Sequence, residues 1–142
     1  MVKYAITVLS RTRPALYIKY FGLTNTTIVR QVLHKVVNNK FDVNCGHPKC
    51  NKLFYAFVYP DIQRIFVCKD FFKAKNNEIN SMAGILLHEA THFTSSGATD
   101  DHAYGPMACQ RLAMHDPMKA LTNADNYEYF VESLYLENAY AL

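Results

Sequence analysis

The sequence predicts an α+β fold, mostly helical with a small antiparallel sheet or hairpin, and three observations carry that expectation. Apolar residues recur at the helical period towards both ends of the chain, strand-forming residues cluster in two central runs, and a Pro-Asp pair separates those runs. The 142 residues suit a single domain over 1–142, since no repeat, linker or charge block divides them. Half of the residues are hydrophobic and 19% are charged, which excludes a disordered or low-complexity chain. A net charge of +3 without a concentrated basic face gives no reason to expect a nucleic-acid partner. No apolar run approaches the ~20 residues of a membrane-spanning helix, so no membrane association is expected either.

Residues 2–21 read as one or two short helices broken at Pro14. The opening Met1 to Ser10 is faintly like a signal peptide. Its apolar core is short, however, and runs into Arg11, Arg13 and Pro14 without a small-residue cleavage site, so it is expected to be the first helix of the fold. After a turn at Gly22, Thr24 or Asn25 can cap a helix whose Ile28, Val32, Leu33, Val36 and Val37 share one face, ending at Asn38-Asn39. Leu53 to Tyr59 is rich in strand formers and stops at Pro60-Asp61; Arg64 to Cys68 returns, which predicts a hairpin. Ser81 opens a helix carrying Met82, Ile85 and Leu86, and a further helix begins near Gly105-Pro106, where proline suits a first turn. The last helix runs from about Asn123 to Tyr140 with Tyr127, Phe130, Val131, Leu134 and Tyr135 on one stripe.

The informative stretch is His88-Glu89-Ala90-Thr91-His92. Two histidines at i and i+4 leave one helix face a turn apart, so both imidazoles can reach one Zn²⁺. Glu89 then sits where a carboxylate can accept a proton from water activated at that ion, the mechanical content of HExxH. Chance alone would produce this pattern on the order of 0.01 times in a chain with six His and five Glu. A catalytic zinc needs a third protein ligand and an open position. Asp101, nine residues past His92, is a hard oxygen donor at a suitable remove, with Asp100 and His102 as competitors that spacing does not separate.

His88 to Thr94, followed by Ala98-Thr99-Asp100-Asp101-His102-Ala103-Tyr104-Gly105, resembles the aspzincin metallopeptidases, of which the deuterolysins and the peptidyl-Lys metalloendopeptidases are branches. That family pairs HExxH with a GTxDxxYG pattern, and Ala98 stands where the family usually has glycine. Tyr20-Phe21-Gly22, Tyr55 to Pro60 and Asn123 to Phe130 look like further landmarks in the right order, so the resemblance covers about residues 5 to 135. It implies a zincin-like metallopeptidase domain with one zinc ion held by His88, His92 and Asp101, and with Glu89 as general base. Tyr104 becomes the tyrosine that steadies the transition state, a role its protonated phenol suits by donating to an oxyanion.

The resemblance also implies a choice of substrate. Members that cleave on the amino side of lysine carry an acidic pair in the pocket for the residue after the scissile bond (P1′), and Asp125 and Glu128 match that pair by their surroundings. At i and i+3 on a helix the two carboxylates share a face and can hold an ammonium group together; Glu128 is the residue that separates this branch from the deuterolysins. The competing expectation is a pair of solvated acids near a helix N-terminus.

Four cysteines suit an oxidising setting without demanding one. Cys50 and Cys68 flank the hairpin and are expected to pair, as the resemblance also implies, for about 3 kcal/mol in a chain-entropy estimate. Cys45 is expected to be free or joined to Cys109, and a second zinc site built from Cys45, His47, Cys50 and Cys68 competes with both pairings. The resemblance implies protein or peptide substrates, a monomer and secretion. An effector protease with a narrow protein target delivered into a cell, and a non-catalytic zinc module for lysine-bearing peptides, stay open as alternatives.

Overall fold

Most element boundaries have a local cause. In the computed structural model, which describes residues 1–51 and 54–141, the break at Pro14 separates α1 (Val2–Leu9) from α2 (Ala15–Phe21). The side chain of Asn25 accepts a hydrogen bond from the Thr27 N–H and opens α3 (Thr26–Asn38), which Asn39 ends. Ser81 does the same for α4 (Met82–His92), accepting from the Gly84 N–H at 2.9 Å. Pro106 starts α5 (Pro106–His115), and Asp116 caps the single turn of α6 (Pro117–Ala120), which sequence periodicity was too short to reveal. The long closing helix α7 is Ala124–Tyr140. No helix among the described residues is long and apolar enough to cross a membrane.

The expected hairpin forms between β2 (Ala56–Tyr59) and β3 (Ile62–Val67), with Phe57 opposite Phe66 and Val58 opposite Ile65. Leu53, the first residue of the expected strand run, lies outside the described residues. The sheet has a third member that the sequence did not signal. β1 (Asp42–Cys45) pairs parallel to β3 on the side away from β2, so the sheet is mixed and its order is β1-β3-β2. Every residue of β1 is exposed, so it carries no apolar alternation to read. Cys50 and Cys68 form a disulfide; Cys45 is free and exposed, and Cys109 is free and buried. The bridge consumes two of the four donors that a second zinc site would have required.

The core closes around α7. Tyr17 and Phe21 of α2 meet Tyr127 and Phe130 of α7 with ring centroids 5.1 to 5.9 Å apart, edge-on except between Tyr17 and Phe21. On the other side of α7 lies α4, which also packs against the sheet. The seam between α4 and α7 is polar at its heart. Glu132 of α7, fully buried, accepts hydrogen bonds from the Asn80 and Ser81 N–H groups and from the Ser81 hydroxyl at 2.6 to 2.9 Å, and so anchors α4 by its N-terminus. A Cβ on Gly84 would overlap the Glu132 carboxylate and come within 3.1 Å of Glu128 Oε1, so only glycine admits both acids at this crossing.

Gly84→Ala is therefore expected to lower the free energy of unfolding by about 1–3 kcal/mol, read from urea denaturation. Wild-type stability in that variant would mean that α7 withdraws from α4 at no cost.

Candidate active site

α4 carries His88, Glu89 and His92 to the inner wall of a cleft of about 650 Å³. His92 Nδ1 donates to the Thr99 carbonyl oxygen at 2.8 Å, which leaves Nε2 without a proton and aimed at the centre of the site. His88 Nε2 lies 3.2 Å from His92 Nε2. Asp101 Oδ1 stands 3.3 Å from the first of these nitrogens and 3.5 Å from the second. These three atoms form a nearly equilateral triangle. Four-coordinate zinc with bonds of ~2.0–2.1 Å separates its ligand atoms by about 3.4 Å, so the donor set fits that ion in both spacing and chemistry.

Asp101 reaches this point because the chain after α4 turns back on itself. Ala98 N–H donates to the Phe93 carbonyl, and Gly97 and Thr99 N–H groups both donate to that of Thr91. Ala98 has φ +48, in the left-handed region that glycine takes freely, so alanine holds the turn at a cost of about 1 kcal/mol. Asp100 is then pinned by a parallel bridge to Asn123, donating to Thr122 O and accepting from Ala124 N. Asn123, wholly buried, accepts from the His102 and Ala103 N–H groups and donates to the Ala103 carbonyl and to Asn126. Of the three residues that spacing left open, Asp101 meets the imidazoles. Asp100 Oδ1 accepts from the Asp101 N–H, and His102 turns towards the Thr122 hydroxyl.

Glu89 is buried beside the histidines and lines the same cleft. Burial, opposed by His88 and helped by the Asp101, Glu128 and Asp125 charges, pushes its carboxyl up to about 7. Tyr104 stands at the cleft mouth, 67% exposed, its phenol pushed up to about 12 by partial desolvation and then by Asp101. It is therefore a hydrogen-bond donor at neutral pH.

Asp125 and Glu128 are not solvated acids. Both lie on the face of α7 turned to α4 and are at most 4% exposed. Asp125 Oδ1 is 2.7 Å from His88 Nδ1, and its Oδ2 accepts from the Gly105 N–H at 2.8 Å. Glu128 Oε2 is 3.4 Å from His88 Nδ1, while Oε1 has no partner. Neither carboxylate is well aligned with the ring N–H, so Nδ1 too lacks a directed hydrogen bond. Burial alone would lower the His88 pKa. Asp101, Asp125 and Glu128 overcome it and hold the ring up to about 12. Burial likewise pushes Glu128 up to about 7 against the pull of His88. Glu89, Asp100, Asp101, Asp125 and Glu128 thus line a cleft with no lysine or arginine among its described lining residues. Such a site favours a cation.

Sequence reasoning passed over Asn126 and Glu132, both buried on α7. A signal existed. The first half of that helix mixes polar and apolar residues on every face, whereas the stripe read from Tyr127 to Tyr135 implied one wet side, and every residue from Ala124 to Val131 is buried.

The sequence matches the family described as lysine-specific metallo-endopeptidase, the aspzincins, over residues 9–132. It is 37% identical over 130 residues to an extracellular protease of Aeromonas hydrophila, covering 86% of this chain and 37% of that protein. It is 48% identical over 80 residues to a peptidyl-Lys metalloendopeptidase of Grifola frondosa, covering 56% of this chain and 23% of that one. The chain thus spans well under half the length of these two relatives. A solved zinc peptidase from Grifola frondosa superposes on it with a TM-score of 0.84 at 33% identity, covering 94% of this chain and 86% of the other. A family match that omits only the two ends of the chain, joined to that superposition, means that the chain belongs to the aspzincin metallopeptidase family.

Proposed function

We propose that the chain is a zinc endopeptidase that cleaves on the amino side of lysine. The observation that carries the proposal is the donor triangle of His88, His92 and Asp101 with the buried Glu89 carboxylate beside it in one cleft. One zinc ion, when bound by that triangle, supplies Lewis acidity for the scissile carbonyl and acidifies water. Glu89 takes a proton from the attacking water as the new C–O bond forms. It returns a proton to the amide nitrogen as the C–N bond breaks, so that the amine leaves neutral. Tyr104 donates a hydrogen bond to the carbonyl oxygen as negative charge grows there. Its exposure suits a group that meets substrate from the mouth of the cleft.

The acidic end of the cleft, Asp125 and Glu128, supports lysine at P1′, because an ammonium group entering it would compensate buried negative charge. The peptide backbone can add to the edge of β2 that no other described strand pairs, and β2 lines the cleft from Ala56 to Val58. Phe57 stacks on Phe66 and neighbours Tyr59 at 5.9 Å, and Tyr55 lines the cleft just before β2. The Cys50–Cys68 disulfide, and a relative named as extracellular, support secretion of the protein.

Glu89→Gln should keep about one equivalent of zinc while peptide hydrolysis falls by about 10²–10⁴-fold. A fully active variant would remove Glu89 from the base role. Glu128→Ala should keep zinc and cleave a mixed peptide library with broadened P1′ preference, read by mass spectrometry of the product N-termini. Unchanged strict lysine selectivity would dismiss the pocket.

A further inference from the structure

Asn80 and Tyr129 meet in the cleft, and neither has a part in the chemistry above. The Tyr129 hydroxyl donates to Asn80 Oδ1 at 2.7 Å, and both residues line the cleft. Tyr129 is 4% exposed; burial, then the Asp125 and Glu128 charges, raises its pKa, so the phenol stays protonated as a donor. Asn80 is exposed and has φ +58, a left-handed backbone that asparagine takes more readily than most residues with a side chain. Its own N–H donates to Glu132 Oε2 at 2.9 Å, so backbone and side chain are each held by a residue of α7. With Oδ1 engaged, the planar amide directs Nδ2 elsewhere, and no described residue accepts a hydrogen bond from it. At 1.5 Å per residue Asn80 lies roughly 12 Å along α4 from His88, the span of about three to four residues of extended peptide. Gly84, where α4 meets Glu128, falls between the two. A peptide with its P1′ side chain at the acidic end therefore runs on towards Asn80.

We propose that the Asn80 side-chain amide donates a hydrogen bond to a main-chain carbonyl of the substrate, two or three residues after the scissile bond (P2′ or P3′), and that Tyr129 is the positioning residue that aims it. The proposal rests on the reading above that the cleft takes a peptide with its P1′ side chain at the acidic end. A carbonyl is the acceptor that every residue type supplies, so this contact grips the chain whatever its downstream sequence. The donor is set in advance: an amide held by Tyr129, on a backbone held by Glu132, loses little freedom when substrate arrives. Its neutrality also matters. A lysine or arginine at this place would pair with the neighbouring acids and compete with the substrate ammonium, whereas an amide donates without doing so.

The test compares the whole wild-type chain with Asn80→Asp, which keeps an oxygen for Tyr129 and tolerates the left-handed backbone, and with Tyr129→Phe, which keeps the ring. Kinetics are read on peptides that end as amides after P1′ or extend to P4′. In the wild type, extension should raise kcat/KM through KM. That gain should shrink about 3–10-fold in Asn80→Asp, the worth of one hydrogen bond, and by less in Tyr129→Phe. Esters put in turn for the amide links after P2′ and after P3′ weaken each carbonyl as an acceptor. One of them should cost the wild type about 3-fold more than it costs Asn80→Asp. Equal losses on short and long peptides would make Asn80 a structural residue and overturn the proposal, as would esters that cost wild type and variant alike. An undiminished gain in Tyr129→Phe would overturn its positioning role. Calorimetry in a Glu89→Gln background separates this contact from the catalytic reading. There Asn80→Asp should weaken binding of the long peptide about 3–10-fold, whether or not the parent chain hydrolyses it and whichever P1′ residue is preferred, and equal affinities would refute the contact.

Discussion

The close crossing of α4 on α7 is the constraint from which the site follows. It requires a helix with no side chain at Gly84 and a partner that presents acids rather than apolar groups at the contact. Three carboxylates at i, i+3 and i+7 on α7 face α4, and each meets something different: His88 and the Gly105 backbone for Asp125, no protein donor at Glu128 Oε1, and the first turn of α4 for Glu132. Burying three acids along one seam costs stability unless each is compensated. Glu132 is compensated by backbone N–H groups and the helix dipole, Asp125 by a backbone N–H and an imidazole, and Glu128 only in part, by the same imidazole at 3.4 Å from Oε2. A buried carboxyl whose pKa is raised and one of whose oxygens has no partner, in a side chain that lines a cleft, is the kind of group found at functional sites.

The same crossing sets the electrostatics of the metal-binding atoms. His88 is gripped from three sides by carboxylates that raise its proton affinity, whereas His92 is held by a neutral carbonyl oxygen and its pKa is lowered, chiefly by burial. Two imidazoles one turn apart on one helix therefore sit in unequal fields. The asymmetry comes from α7, which passes beside His88 and not beside His92. The loop from Phe93 to Gly105 closes the arrangement by bringing Asp101 to the open side of the histidine pair, with Asn123 acting as a clamp on its backbone.

Much of this was legible in the chain. Helix starts at Asn25, Ser81 and Pro106, the break at Pro14 and the Pro60-Asp61 turn all depend on side chains acting within a few residues of themselves, so local chemistry announces them. The exposed strand β1 and the one-turn helix α6 stayed silent, since neither carries an apolar pattern long enough to read. Two runs of strand formers on either side of Pro60-Asp61 foretold a hairpin, but a parallel neighbour on the far side of β3 is a long-range event with no local mark.

By itself the sequence determined which side chains could bind a divalent ion, because i and i+4 on a helix is a fixed geometric relation wherever that helix lies. It also narrowed the third ligand to a short segment, within which a family likeness pointed to Asp101. Only the tertiary structure decided that Asp101, and not Asp100 or His102, meets both rings, because that depends on a backbone bridge to Asn123 from twenty-three residues away in the chain. It decided likewise that Asp125 and Glu128 are buried and unlike in their partners. Burial is a property of what packs against a helix, and nothing in the spacing of α7 says that α4 lies across it at the one residue without a side chain.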